Sequence, residues 1–165
     1  MPKPQDFNFD EAIENKSVIF FYDATHPFSN VFLSTVTYEG VEYLTSEHAY
    51  QAQKFDRSAQ DVVDQILNTT DPVEAKDIAD ANLERMRPDW NYFTKFRVMK
   101  KIVYEKMVQN PKILKLLLKS GEKNLVENGP HDDCWGAVTV DGIVGGHNFI
   151  GRILMRVRSE LRNES

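Results

Sequence analysis

The chain has one cysteine, Cys134, so it cannot close an internal disulfide, and it is expected to be held together by packing in a reducing compartment. It has no apolar run of the roughly 18 residues that a membrane span needs. Its first residues, "MPKPQDFNFDEA", lack the basic and apolar regions of a signal peptide. The expectation is a soluble cytoplasmic protein with no membrane partner. Positive charge is in deficit, 20 Lys and Arg against 25 Asp and Glu for a net charge of −5, which excludes broad electrostatic capture of nucleic acid. A local basic pocket for phosphate remains open. There is no internal repeat, linker or low-complexity segment. What remains is 165 residues, 41% hydrophobic and 11% aromatic, enough for one substantial core and too short for two ordinary ones, so residues 1–165 are expected to form a single domain.

Hydrophobic spacing gives the order of elements. "SVIFFY" (17–22) and "VFLSTVTYEGVEYL" (31–44) have strand character, the second with Glu39-Gly40 placed for a hairpin turn. From residue 46 the pattern is helical, with Ser46, Ser58 and Asp71 as expected caps and Pro72 at the first position of the third helix. Residues 91–109 should form the longest helix, with Phe96, Met99, Val103 and Met107 on its buried face. Asn110, Pro111 and Gly121 bracket the next helix. "NLVEN", "CWGAVTV" and "IVG" then read as short strands, the last two joined at Asp141-Gly142. A closing helix begins near Asn148 and turns Ile150, Leu154, Val157 and Leu161 inward. Strands at both ends with helices between them indicate an α+β fold, mostly helical, with short antiparallel strands contributed by both ends of the chain.

Several stretches carry chemistry-bearing side chains. In "SEHAYQAQKF" (46–55), Glu47, Gln51 and Lys54 stand at i, i+4 and i+7 and share one helix face. Such a stripe is either a solvated surface or the wall of a cleft offering a carboxylate, an amide and a cation. "ENGPHDDCWG" (127–136) gathers Glu127, His131, Asp132 and Asp133 before Trp135. It reads either as a polar loop plugged by tryptophan or as an acid beside a flat aromatic wall. His131 and Cys134 have a ligand-like gap but no companion pair, so no metal is expected. "GGHNFIGRILMRVR" offers backbone N–H groups at a helix start, a place that can receive an anion or simply a tight bend. "RMRPDWNYFTKFR" interleaves Arg85, Arg87, Lys95 and Arg97 with Trp90, Tyr92 and Phe93, which suits base and phosphate contacts and equally a basic outer helix face.

The order of these stretches is more specific than any one of them. "HPFSN", "EHAYQAQKF", "RPDW" with a following "VM", "DDCWG", and "GHNFIG" with "LMRVR" together resemble the NADAR family, also described as YbiA-like or DUF1768. The resemblance runs from about residue 19 to about residue 161. It implies an α+β fold and an N-glycosidase that hydrolyses the N-glycosidic bond of early riboflavin-pathway intermediates or removes ADP-ribose from modified guanine bases. The partners so implied are a small nucleotide or ADP-ribosyl substrate and ADP-ribosylated nucleic acid, with no cofactor. Carried over by motif position, Glu47 of "EH" and Asp132 of "D-x-x-WG" become the catalytic candidates. Asn30, Tyr43, His48, Gln51, Lys54, Arg87, Trp90, Lys95, Trp135, Gly136 and Asn148 become pocket candidates. This chain departs from the pattern at Tyr43, where the family usually has tryptophan shortly before "EH". The interval from Trp90 to Met99 is also one residue longer than the pattern, which leaves the basic position open between Lys95 and Arg97.

Cleavage of a ribosyl C–N bond needs help at both ends, because the sugar gains oxocarbenium character while the departing base gains electrons. The expectation is that Glu47 serves the sugar and Asp132 the base or the water, with the roles exchangeable and Glu127 an alternative to Asp132. Lys54, Arg87 and the start of the last helix are expected to grip phosphate.

Overall fold

A computed structural model describes residues 17–164. The chain divides into two compact units, Leu33–Gln109 and the flanking Met1–Phe32 with Asn110–Ser165. Topologically the first is an insertion in the second.

The inserted unit starts with the hairpin β2 (Val36–Tyr38) and β3 (Val41–Tyr43), in which Val36 pairs with Tyr43 and Tyr38 with Val41. Glu39 and Gly40 turn it with φ of 50° and 80°, the left-handed pair that a two-residue hairpin requires. Helix α1 (Ser46–Ala52) follows and packs on α2 (Gln60–Asn68), α3 (Pro72–Asp80) and α4 (Tyr92–Gln109). Its short length is compensated by burial of six of its residues, leaving Glu47 as the one partly exposed position. The cap is Thr45, whose hydroxyl accepts from the His48 N–H at 3.2 Å, and not the expected Ser46, which is already helical and buried. Ser58 is likewise displaced as a cap. It lies inside a 3₁₀ turn (Arg57–Ala59) capped by Asp56, because the Asp56 carboxylate reaches both the Ser58 N–H and its hydroxyl. Asp71 caps α3 as expected, accepting from Val73 N–H at 2.8 Å with Pro72 at the helix start. In α4 the buried stripe is Val98–Met99, Ile102–Val103 and Lys106–Met107, while Phe96 is half-buried and turned to Tyr92, ring centroids 4.8 Å apart.

The other unit joins the two ends of the chain. Strand β1 (Val18–Phe21) runs parallel to β4 (Asn124–Glu127), Ile19 opposite Leu125. Parallel pairing needs a long crossover, and here the crossover contains the whole inserted unit and α5 (Pro111–Lys119). Helix α6 (Phe149–Glu164) lies on β4, with Ile150, Leu154, Val157 and Leu161 buried as the spacing predicts. Gly151 makes that approach possible: a Cβ there would sit 2.0 Å from the Leu125 carbonyl oxygen. The second hairpin, β5 (Val138–Val140) and β6 (Ile143–Gly145), turns at Asp141-Gly142 with φ of 51° and 79°. Cys134–Gly136 do not extend β5, because their carbonyls bond the start of α6 rather than a strand. The fold class is therefore α+β, with two antiparallel hairpins and one parallel pair of strands among the described residues. No described helix is long and apolar enough to cross a membrane.

Candidate active site

The expected site residues fall into two sets. Tyr43, Glu47, His48, Gln51, Lys54, Arg87, Trp90 and Lys95 belong to the inserted unit; Asn30, Asp132, Trp135, Gly136 and Asn148 belong to the flanking one.

In the inserted unit one helical turn joins Glu47 to Gln51, whose side-chain amide nitrogen donates to Glu47 Oε1 at 2.6 Å. Loss of hydration raises the Glu47 carboxyl above its ordinary range, opposed first by the Gln51 hydrogen bond and then by the Lys54 and Lys76 cations. Glu47 is nevertheless partly exposed. Desolvation of this kind favours the protonated form of a carboxyl. Gln51 is 2% exposed, and its carbonyl oxygen is buried without a hydrogen-bond partner.

Lys54 continues the same face. Its Nζ lies 5.4 Å from the centre of the Tyr50 ring, and Tyr50 meets Trp90 at 5.5 Å between centroids. The "RPDW" segment is fixed to the end of α1 by the Arg87 N–H, which donates to the Lys54 carbonyl at 2.8 Å. Loss of hydration lowers the Lys54 pKa, with the Asp80 and Glu47 carboxylates opposing and the Lys76 and Lys95 cations reinforcing it. Lys95 Nζ lies 5.3 Å from the centre of the Tyr92 ring and 5.1 Å from that of Phe96. The Arg87 guanidinium is occupied, donating from Nε and one terminal nitrogen to the two Asp89 carboxylate oxygens.

Two candidates in this set have internal partners. His48 is buried, with Nε2 3.1 Å from the Thr69 carbonyl oxygen and Nδ1 2.8 Å from the Thr45 hydroxyl. A carbonyl can only accept, so Nε2 carries the proton, Nδ1 accepts from Thr45, and burial lowers the pKa to keep the ring neutral. His48 therefore ties α1 to the end of α2. Tyr43 is buried and its hydroxyl accepts from Gln53 at 3.3 Å.

In the flanking unit Asp132 is exposed, and its Oδ1 accepts from the N–H groups of Cys134 and Trp135, both at 2.9 Å. The carboxylate thus shapes the loop that presents Trp135, whose ring meets Phe149 edge-on at 6.5 Å. Gly136 allows close packing, since a Cβ there would lie 2.8 Å from the Glu127 carbonyl oxygen and 3.0 Å from that of Asp132. Asn148 bridges to β4, accepting from Glu127 N–H at 3.1 Å and donating to the Leu125 carbonyl at 2.9 Å. Asn30 is buried in the turn after β1. The α6 start is not an open anion seat: the N–H groups of His147, Asn148, Phe149 and Ile150 donate to the carbonyls of Asp133, Gly136, Cys134 and Trp135.

Sequence spacing missed Tyr50, Lys76 and Asp80. Tyr50 was signalled by its place three residues after Glu47. Lys76 and Asp80 carried no local signal, because they reach the cluster only through packing of α3 on α1. Among the described residues no group of three His, Cys, Asp or Glu side chains could hold a metal ion.

Known proteins share the fold and much of the length of this chain. A solved structure of Escherichia coli YbiA is similar over 99% of this chain and 95% of that one, with a TM-score of 0.77 and 29% sequence identity. An N-glycosidase of Nostoc punctiforme is 34% identical over 149 residues, 88% of this chain and 93% of its own length. The N-glycosidase YbiA of Escherichia coli K12 is 31% identical over 158 residues, 93% and 94% of the two chains. A riboflavin biosynthesis protein of Vibrio vulnificus is 37% identical over 151 residues, 89% of this chain but 39% of the longer relative. The model of the NADAR domain matches residues 16–162, and the chain belongs to that family.

Proposed function

We propose that this protein is an N-glycosidase that hydrolyses a ribosyl C–N bond, with Glu47 as the residue that carries the proton. The substrate is a phosphorylated ribosylamine intermediate of riboflavin synthesis or an ADP-ribosylated guanine. The observation that carries the proposal is Glu47 itself, a partly exposed residue whose desolvated carboxyl has a raised pKa and accepts from the buried Gln51 amide at 2.6 Å, on the helix face that continues to Lys54. The names of the Nostoc, Escherichia and Vibrio relatives support the reaction class.

Departure of a base from C1 leaves an electron pair on nitrogen and a partial cation on the sugar. A carboxyl whose protonated form is favoured by desolvation can deliver its proton to the leaving nitrogen and then, as carboxylate, attract water to C1. This gives Glu47 the base side of the reaction first, the exchanged form of the role expected from sequence. Trp90, half-buried against Tyr50, offers a flat surface for the base. Asp132 is proposed to act through loop geometry, by holding the Cys134 and Trp135 backbone.

A second course is favoured by Lys54, because its lowered pKa increases the neutral amine fraction at the end of the same stripe. Nζ would attack C1 as Glu47 protonates the departing base. Opening of the sugar ring then forms an imine, and water hydrolyses it to return the amine and free sugar. Borohydride added during turnover separates the two courses: a sugar adduct on Lys54 supports the imine, and unmodified protein supports direct hydrolysis.

The test of the function is incubation with a pyrimidine ribosylamine 5-phosphate and with ADP-ribosylated guanosine, with released sugar resolved by chromatography. Wild type is expected to release sugar from at least one. Binding of ADP-ribose without hydrolysis of either compound would instead identify a non-catalytic nucleotide binder.

A further inference from the structure

We propose that Gln51 is a specificity-determining residue: its buried side-chain carbonyl accepts a hydrogen bond from the ribosyl 2-hydroxyl, so that the site distinguishes ribosides from 2-deoxyribosides. The inference rests on the glycosidase reading above and names a feature of the substrate that reading leaves open.

Glu47 fixes the orientation of the amide. A carboxylate can only accept, so the Gln51 nitrogen faces it at 2.6 Å and the carbonyl oxygen faces away from that bond. Amide geometry puts the two ends of that group about 2.3 Å apart, from bonds of about 1.23 and 1.33 Å. The acceptor is therefore within about 5 Å of Glu47 Oε1. That oxygen makes no hydrogen bond within the protein and is screened from solvent. Buried acceptors are almost always satisfied, and one left open beside a functional acid awaits a donor.

Substrate chemistry identifies the donor. The 2-hydroxyl is attached to the carbon next to C1, so it is the sugar O–H nearest to the breaking bond. Hydrogen bonds to this hydroxyl strengthen as a glycosyl cation develops, so an acceptor placed there assists the transition state more than the ground state. A site built to receive a hydroxyl also rejects the analogue without it, because its own polar group then stays unsatisfied.

The test is a two-by-two comparison of wild type and Gln51→Met on a pyrimidine ribosylamine 5-phosphate and its 2-deoxyribosyl counterpart. The riboside to deoxyriboside ratio of kcat/KM is taken for each protein, and dividing one ratio by the other removes the intrinsic difference in lability. The wild-type ratio should exceed the Gln51→Met ratio by roughly 5- to 150-fold, the range expected for leaving one buried acceptor open. Equal ratios in wild type and Gln51→Met would overturn the proposal. If wild type hydrolyses neither compound, the glycosidase reading fails by itself, and binding still decides this one. Ribose 5-phosphate should then stabilise wild type more than 2-deoxyribose 5-phosphate, with the difference absent in Gln51→Met. Equal stabilisation of wild type by both sugars would refute it.

Discussion

Replacing Glu47 by Gln keeps the shape of the side chain and removes its proton chemistry, so rate and stability should change in opposite directions. In the unfolded chain Glu47 titrates at the ordinary carboxylate value, whereas in the folded chain desolvation raises it. The stabilisation associated with the protonated form is fully present below the unfolded value and is lost as pH rises through the folded value. Above that window the native protein holds a carboxylate short of water. Glu47→Gln removes this burden and should raise stability above that window by about 1 kcal/mol, or roughly 2–4 °C in Tm for a chain of this size. Below the window the two proteins should converge. Turnover should fall by roughly 10²- to 10⁴-fold, or about 3–5 kcal/mol of transition-state stabilisation. In wild type, kcat/KM should decline as pH rises through the raised Glu47 value, and that decline should be absent from the residual activity of the variant. Calorimetry across pH and a pH–rate profile measure both effects. A Glu47→Gln protein that is less stable than wild type across the alkaline limb and hydrolyses substrate at the wild-type rate would refute the assignment.

Other substitutions separate chemistry from scaffolding. His48→Phe leaves the Thr69 carbonyl unsatisfied and should cost roughly 1–3 kcal/mol in urea unfolding. Because burial lowers the His48 pKa, its contribution to stability is full above the unfolded value and decreases as pH falls through that value toward the folded one; the variant should lose this acid sensitivity. Gly151→Ala forces a Cβ to within 2.0 Å of the Leu125 backbone and should destabilise more than Gly136→Ala, whose nearest contact is 2.8 Å, as thermal denaturation would show. Asp132→Asn retains an oxygen for the Cys134 and Trp135 N–H groups and should keep most activity, whereas Asp132→Ala should lose about 1 kcal/mol and loosen the loop. Inactivity of a folded Asp132→Asn protein would return Asp132 to a direct chemical role.

Much of the fold was legible because it follows from local rules. Glu39-Gly40 and Asp141-Gly142 announce their hairpins through residues that tolerate left-handed backbone, and both adopt it. The inward stripe of α6 was visible as spacing alone. The misplaced caps at Ser46 and Ser58 have a shared cause. In each case a stronger partner stands just before the serine, Thr45 with His48 in reach and Asp56 with two donors from one residue, and a local propensity scale does not record that competition. Parallel pairing of β1 with β4 was beyond local reading, since its crossover contains an entire compact unit.

The sequence shows which side chains share a helix face but not their charge state. Helical period alone sets Glu47, Gln51 and Lys54 on one face, and a solvated stripe would show the same spacing. The two differ in hydration: a solvated acid and amine would titrate normally, whereas here burial raises Glu47 and lowers Lys54, so each moves toward its neutral form. A neutral acid can give a proton, and a neutral amine can attack carbon. The packing of α1 on three other helices thus shifts both members of an ordinary pair of opposite charges toward their neutral forms. Lys76 and Asp80 show why this could not be read from the motif: they act on both groups from α3, more than twenty residues away, and only the fold brings their charges to bear.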